Sequence, residues 1–286
     1  MSTCPLCDKC QPISGQDIIG DSYDWTGVGH RTGAVLNKWA TMISPSYFVS
    51  ASHLAPESGN QLTFHLDNSS TGATYVGTVD GTWSYQGNVD GLPSDLYVGR
   101  LTTPIPAAVG VAMYPILDLP NPLTDYHNAE LWVYGFRNYP NDVVGRNLVN
   151  NPSGYADVEL AYTNTAHTAA TAILIYNYDV GPVYPSVGAA EAKVQEGDSG
   201  APLFISVGSQ LAVVGTHFAI NGNLEYDTFV PYYTSQILAA IQASNRPEPV
   251  MVIVPEPGAL LLLLLGGGYW GTRRRFHRRG VDRGLG

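Results

Sequence analysis

The chain has 286 residues, including 31 glycines, 20 prolines and 18 tyrosines, and only 13% of its residues are charged. This composition favours one β-rich unit of about 230 residues followed by a tail. The net charge is −10, but the six Arg and one Asp from Arg273 onward hide a body with 8 basic and 23 acidic side chains, a net −15. So acidic a body excludes nucleic acid as a partner, because phosphate binding needs a basic surface.

The first segment of the chain, residues 1–17, is predicted to be a disordered leader. It contains all three cysteines, Cys4, Cys7 and Cys10, at C-x-x-C-x-x-C spacing. This spacing leaves a metal or redox site open as an alternative, but no further ligand set follows at zinc spacing. We therefore expect no metal and no cofactor, and a body that is held together by packing without disulfides.

The first half of the body contains short strand-like segments that end in polar residues. A turn at Ser44-Pro45-Ser46 leads through an apolar run to Ser50-Ala51-Ser52-His53. Residues 62–66 then alternate between apolar and polar, which is the two-residue period of a half-buried strand. Asp95 opens a further apolar run at 96–98. His53 and Asp95 thus each lie at the edge of a predicted strand.

A connector rich in proline separates the two halves. Prolines remove hydrogen-bond donors from a strand ladder, so residues 103–122 are predicted to cross between the halves in an extended form. Strand-like segments resume at 131–136, 157–162 and 171–178. Two later segments flank Gly208-Ser209 and form a predicted hairpin, and residues 232–243 are predicted to form a terminal helix.

The segment Gly197-Asp198-Ser199-Gly200 is the candidate for the chemistry. A serine becomes a good nucleophile when a base can take its proton and backbone N–H groups face the developing oxyanion. Glycines on both sides permit a tight turn and close approach of a substrate. His53, Asp95 and Ser199 occur in the chain order that one class of acyl-transfer enzymes uses.

These motifs resemble those of the bacterial trypsin-like (chymotrypsin-fold) serine proteases over residues 18–245. The sequence G-D-S-G-A-P at 197–202 resembles the family's G-D-S-G-G-P, S-A-S-H at 50–53 resembles T-A-A-H, and D-L-Y-V at 95–98 resembles D-I-A-L. The resemblance implies an all-β fold of two six-stranded Greek-key β-barrels. Residues 18–110 would form the first barrel, and residues 111–245 the second, with the C-terminal helix.

The resemblance also implies the roles of the site residues. His53 would be the general base, Asp95 would orient it, and Ser199 would be the nucleophile. The backbone N–H groups of Gly197 and Ser199 would form the oxyanion hole. The expected activity is that of a serine endopeptidase, which cleaves proteins or peptides through an acyl-enzyme.

Two further expectations concern activation and specificity. Ile18-Ile19-Gly20 resembles the I-V-G-G start of mature family members, whose freed amine pairs with the acid at Asp198, although Gln16-Asp17 is not a basic cleavage site. Lys193 lies at the position of the specificity pocket's base, and His217 resembles the histidine with which glutamyl endopeptidases contact a substrate carboxylate. The two cations would favour acidic side chains; in the alternative, Lys193 points to solvent and His217 only lines the wall.

The last forty residues are predicted to form a segment separate from the body. Residues 246–258 are a predicted Pro-rich linker, and residues 259–286 are an apolar segment followed by a basic tail. The apolar run at 258–271 would span about 20 Å as a helix, short of the hydrocarbon core of roughly 30 Å. Together with Val254-Pro255-Glu256-Pro257 it resembles the PEP-CTERM sorting signal of Gram-negative bacteria.

The tail's resemblance implies export, temporary anchoring in the bacterial inner membrane and processing by an exosortase, with a permanent single-span anchor as the alternative. Residues 1–17 lack the apolar core of a signal peptide, so we expect the true start to lie upstream of Met1. For the whole protein, the alternative to a protease is a non-catalytic surface or extracellular-matrix protein on a trypsin-like scaffold, because a fold alone does not fix a function.

Overall fold

The computed structural model describes residues 23–33, 38–68, 72–138, 141–149, 157–164, 169–178, 187 and 191–254. The cysteine-bearing leader, the Ile18-Ile19-Gly20 segment, the Pro-Glu-Pro box and the tail 259–286 lie outside these residues. In the part of the chain that is described, no helix is long and apolar enough to cross a membrane.

The first half forms a barrel of six antiparallel strands. They are β1 (Val28–Arg31), β2 (Trp39–Met42), β3 (Tyr47–Ala51), β4 (Gln61–His65), β5 (Thr74–Val89) and β6 (Leu92–Leu101). The strand order is β1-β2-β3-β6-β5-β4, and β4 pairs back with β1, so the pairings form a complete ring. Alternate residues point inward, and Phe48, Leu62 and Phe64 are fully buried in the core.

The second half forms a larger sheet. Its strands are β7 (Ile116–Leu117), β8 (Glu130–Asn138), β9 (Asn141–Leu148), β10 (Val158–Asn164), β11 (Ala169–Asn177), β12 (Pro202–Val207), β13 (Gln210–Asn221), β14 (Leu224–Phe229) and β15 (Val252–Ile253). Seven follow the order β10-β11-β14-β13-β12-β8-β9, while β7 pairs with both β13 and β15.

This sheet differs from the predicted second barrel of six strands. It has nine strands, and no pairing among the described residues joins β10 to β9. The two strands off the main path have two residues each: β7 comes from the Pro-rich connector and β15 from the predicted linker. Short segments between prolines have little sequence periodicity, so these pairings could not be foreseen.

A terminal helix follows the sheet, as predicted. The helix α1 spans Thr234–Gln242 and is entered through a 3-10 turn at Val230–Tyr233. Ile237 and Ile241, four residues apart and therefore on one face of the helix, are buried. Mostly β structure in two sheets with a C-terminal helix is the architecture that the sequence analysis predicted.

The chain beyond the helix is bound to the body, where the sequence had predicted a linker from residue 246. The Glu248 carboxylate accepts hydrogen bonds from Ser44 Oγ at 2.8 Å, from the Ser46 N–H at 2.9 Å and from Ser46 Oγ at 2.6 Å. The Arg246 guanidinium donates to the carbonyls of Leu101 and Thr102. Residues 244–253, the C-terminal strap, therefore belong to the compact unit, which ends at Ile253.

Candidate active site

His53 lies just beyond the end of β3, and Asp95 lies within the neighbouring strand β6, three residues after its start. Ala51, the last residue of β3, pairs with Leu96 of β6, so the residues just beyond this pair are adjacent. His53 follows in a 3-10 turn, and its Nδ1 lies 2.9 Å from Oδ1 and 3.0 Å from Oδ2 of Asp95. The His53 backbone N–H also donates to Asp95 Oδ1 at 2.9 Å. Since an ionised carboxylate only accepts, Nδ1 carries the proton, and in the neutral ring Nε2 has the lone pair.

Asp95 is held from both halves of the body. Its side chain is 2% exposed, whereas that of His53 is 20% exposed. The Asp95 backbone N–H donates to Thr171 Oγ1 of β11 at 2.9 Å. Within the first barrel, Gln86 Nε2 donates to the Ser94 carbonyl at 2.8 Å and to Ser52 Oγ at 3.0 Å. These bonds fix the segments on which both the acid and the histidine lie.

Ser199 lies in a tight turn between two glycines. Gly197 has φ = 101° and Gly200 has φ = 87°, both in the left-handed region that side chains rarely adopt. The Ala201 N–H donates back to the Asp198 carbonyl at 2.8 Å, which closes the turn. Trp39 Nε1 of β2 donates to the Gly197 carbonyl at 3.3 Å. The turn leaves Ser199 partly exposed while its neighbours Asp198 and Gly200 are buried.

The backbone amides of this turn fall into two sets. The N–H groups of Asp198, Gly200 and Ala201 donate to backbone carbonyls. In the described structure, the N–H groups of Gly197 and Ser199 make no such bond. These two amides are the ones predicted to form the oxyanion hole, and an oxyanion hole needs donors that are not already engaged.

The Ser199 turn packs against the strand that leads to His53. A Cβ atom on Gly200 would lie 2.7 Å from Ser50 Oγ and 3.0 Å from the Ala51 nitrogen, so the two backbones are in close contact. The Phe218 ring lies 6.1 Å from the His53 ring, edge to face. Among the described residues, the Ser199 hydroxyl makes no hydrogen bond to the His53 ring. Without substrate, catalytic hydrogen bonds are often long and tighten only in the complex.

The two residues predicted for the specificity pocket each make hydrogen bonds within the protein. Lys193 Nζ donates to the Gly222 carbonyl at 2.6 Å. His217 is 2% exposed, with Nδ1 at 2.9 Å from both carboxylate oxygens of Asp227 and Nε2 at 2.8 Å from the Tyr134 carbonyl. Both ring nitrogens of His217 are therefore engaged inside the protein, and Lys193 Nζ has a backbone carbonyl as a partner.

Burial and neighbouring charges shift the pKa values of His217 and Glu225. Burial alone would lower the pKa of His217, but Asp227 and then Asp198 outweigh burial and raise that pKa to about 9. Burial raises the pKa of Glu225 well above its ordinary value, and the nearby His217 offsets only part of this effect. These shifts favour the protonated ring of His217 and the neutral carboxyl of Glu225.

Three residues of this region were missed by the sequence analysis: Thr171, Trp39 and Asp227. Thr171 and Trp39 act through single hydrogen bonds across the chain, and nothing local marks them. Asp227 could have been noticed, because Glu225 and Asp227 lie two residues apart and therefore on the same face of β14, which is the buried one.

No protein-family model and no curated protein sequence matches this chain. Solved structures do match. Human heparin binding protein superposes with a TM-score of 0.55 at 11% identity, covering 78% of this chain and 95% of that one. A mutant of the human heparin binding protein gives a TM-score of 0.54, again at 11% identity, over 79% and 95% of the two chains. The chain has a trypsin-like fold. At this identity the likeness extends to the fold alone.

Proposed function

We propose that the protein is a serine endopeptidase that cleaves peptide bonds through an acyl-enzyme. The observation that carries this proposal is the His53–Asp95 pair, in which Nδ1 is hydrogen-bonded to the buried carboxylate. It is joined by the Gly-Asp-Ser-Gly turn at 197–200, where the N–H groups of Gly197 and Ser199 make no backbone hydrogen bond among the described residues. A trypsin-like fold supports it, and peptides or proteins are the substrates that such a fold suggests.

The proposed reaction follows from this arrangement. Ser199 Oγ attacks the peptide carbonyl carbon while His53 Nε2 takes its proton, and Asp95 stabilises the imidazolium that forms. The tetrahedral oxyanion accepts hydrogen bonds from the backbone N–H groups of Gly197 and Ser199. His53 then returns the proton to the leaving amine, which gives the acyl-enzyme. A water molecule, deprotonated by His53, attacks the acyl carbon; the C–O bond to Ser199 then breaks, His53 returns the proton to Ser199 Oγ, and the acid is released.

The proposal includes no preference for acidic side chains. That expectation required Lys193 and His217 to face a substrate carboxylate. Lys193 donates to a backbone carbonyl, and both ring nitrogens of His217 are engaged inside the protein.

Hydrolysis of an activated ester and of a mixed peptide library tests the proposal. We expect a rapid burst of the leaving group followed by slower turnover, because acylation and deacylation are separate steps. Ser199→Ala should abolish the burst and reduce kcat by about 10⁶-fold. Ser209→Ala, at an exposed serine in a hairpin turn, is the matched control and should behave as wild type. Equal rates in wild type and Ser199→Ala would refute the proposal.

Export remains a proposal from sequence. The Pro-Glu-Pro box, apolar run and arginines support a route through the bacterial inner membrane, with exosortase as the processing partner. Mass spectrometry of the mature protein tests this: a new C-terminus near residues 255–257 is expected. If the exported protein still ends at Gly286, processing is refuted and the permanent single-span anchor is favoured.

A non-catalytic binding protein is the second candidate, since the solved neighbours are named for heparin binding. Heparin itself does not suit this chain. It is a polyanion, and the body up to residue 272 has 8 basic and 23 acidic side chains. Retention of Ser199→Ala and wild type alike on an immobilised partner, with no esterase burst from either, would favour the binding role.

A further inference from the structure

The turn that carries Ser199 is contacted on both of its sides by the first barrel. Before the serine, Trp39 Nε1 of β2 donates to the Gly197 carbonyl at 3.3 Å. After the serine, a Cβ atom on Gly200 would lie 3.0 Å from the Ala51 nitrogen, so the glycine backbone lies directly against β3. Both contacts come from one end of an antiparallel strand pair, because β2 begins at Trp39 and β3 ends at Ala51.

The indole of Trp39 is held in one orientation by its surroundings. The side chain is fully buried, and its ring packs edge to face against Tyr134 at 5.5 Å and against His30 at 5.8 Å. An indole has a single N–H, which usually finds an acceptor when the ring is buried. Close packing restricts the rotamers of a buried ring, so this N–H stays aimed at the Gly197 carbonyl.

Gly197 is the residue of the turn that most needs such a restraint. Its φ is 101°, and a glycine has more backbone freedom to lose than any other residue. Among the described residues, the N–H groups of Gly197 and Ser199 make no backbone hydrogen bond that would fix them. Their direction therefore depends on how the neighbouring peptide groups are held.

The peptide group after Gly197 is held at both of its edges. The Gly197 carbonyl and the Asp198 N–H belong to one planar unit. The Asp198 N–H donates to the Gln195 carbonyl at 3.0 Å, and the Gly197 carbonyl accepts from Trp39. The next peptide group is held within the turn, where the Ala201 N–H donates to the Asp198 carbonyl at 2.8 Å. Of these three bonds, the one from Trp39 is supplied by the first barrel.

We propose that Trp39 is a positioning residue for the oxyanion hole: its indole N–H fixes the Gly197 carbonyl and thereby aims the N–H groups of Gly197 and Ser199. The strand that carries Trp39 pairs with the strand that leads to His53, so adjacent strands of one barrel position both the base and the oxyanion donors. The effect of Trp39 on the reaction rate rests on the proposed function, whereas its hydrogen bond can be tested without catalysis.

Two variants of the whole protein remove this hydrogen bond. Trp39→Phe removes the N–H together with part of the ring. Trp39→benzothienylalanine replaces only the N–H with sulfur and keeps both fused rings, so it remains informative if the smaller ring impairs folding. The matched control is the same sulfur replacement at Trp132, whose Nε1 is buried and has no hydrogen-bond partner among the described residues.

The first experiment observes the Gly197 carbonyl by NMR. In protein labelled with [1-¹³C]glycine and [¹⁵N]aspartate, only a glycine followed by aspartate gives a carbonyl signal coupled to the labelled nitrogen. The sequence contains this pair at 20–21 and at 197–198, and Gly20→Ala assigns the two signals. Loss of the donor should move the Gly197 signal upfield in both Trp39 variants, and the Trp132 control should leave it in place. A signal that stays in place in the Trp39 variants, or that moves as far in the control, overturns the proposal.

The second experiment measures kcat and KM with the activated ester across a range of pH. Both Trp39 variants should lower kcat and kcat/KM together by about 10–10²-fold, which is less than the cost of about 10²–10³ for a whole oxyanion donor. KM should stay unchanged, because the lost interaction acts in the transition state. The pH dependence of kcat/KM should also stay as in wild type, because the His53–Asp95 pair is not altered.

The Trp132 control should keep the activity of the wild type. A raised KM with unchanged kcat, or full activity in both Trp39 variants, contradicts the positioning role. An inactive wild type would refute the proposed function, and the Gly197 carbonyl signal would then decide whether Trp39 holds the turn.

Discussion

The Glu248 contact gives a prediction about stability that does not depend on catalysis. Three donors from two serines converge on this half-buried carboxylate. A hydrogen bond to a charged group contributes about 1.5–3 kcal/mol net, but the freed serine hydroxyls can turn toward water, so the three are not additive. For Glu248→Ala we expect the free energy of unfolding to fall by about 2–4 kcal/mol. Glu248→Gln, which keeps one accepting oxygen, should lose about half as much.

Urea unfolding followed by tryptophan fluorescence measures this effect. The slope with denaturant should stay constant while the midpoint falls. Glu57→Ala is the matched control, because Glu57 is an exposed glutamate whose surface ion pair with Lys38 contributes little, and it should leave the midpoint nearly unchanged. A chain ending at Val254 should be as stable as the full protein, whereas a chain ending at Asn245 should be less stable than Glu248→Ala. If Glu248→Ala and Glu57→Ala have the same midpoint, the strap does not hold the body as described.

Three further predictions concern the site. Asp95→Asn should lower kcat by about 10⁴-fold with the fold intact, because the amide favours the wrong tautomer of His53; an unchanged circular dichroism spectrum checks the fold, and a small loss of kcat would contradict the role of Asp95. Thr171→Val leaves the buried Asp95 N–H without its acceptor, so the free energy of unfolding measured in urea should fall by about 1–3 kcal/mol. An unchanged free energy of unfolding would show that this hydrogen bond does not hold Asp95. The pKa of His217 is raised from its ordinary 6.5 to about 9, so its stabilisation is complete below pH 6.5 and is lost toward pH 9. That loss is about 3 kcal/mol, and stability that rises over this range would contradict it.

The sequence motifs were sufficient where the structure is local. The hairpin around Gly208-Ser209 appears between β12 and β13, and the helix predicted at 232–243 spans Thr234–Gln242. His53 and Asp95 were identified because each lies in its own short motif beside an apolar run, although Asp95 proves to lie within β6 and not at its edge. The contact between them follows from the β3–β6 pairing, which places the two motifs side by side.

Features that depend on how strands far apart in the sequence pair with each other could not be predicted. Whether His217 faces a pocket or the interior depends on its pairing with Asp227 across β13 and β14, where a bulge follows His217. Lys193 precedes a segment that is held by Glu225 through the Val194 N–H. The strap was predicted as a linker because prolines at 247 and 249 indicate an extended chain, and an extended chain is equally suited to a free linker and to a bound edge.

The central claim is that His53 activates Ser199 for attack on a carbonyl. The most direct measurement is to react the whole protein with a fluorophosphonate probe and to map the adduct by mass spectrometry. We expect one adduct, on Ser199, absent from Ser199→Ala and formed far more slowly in His53→Ala. A wild-type protein that stays unlabelled, or one labelled as fast after His53 is replaced, would contradict the claim.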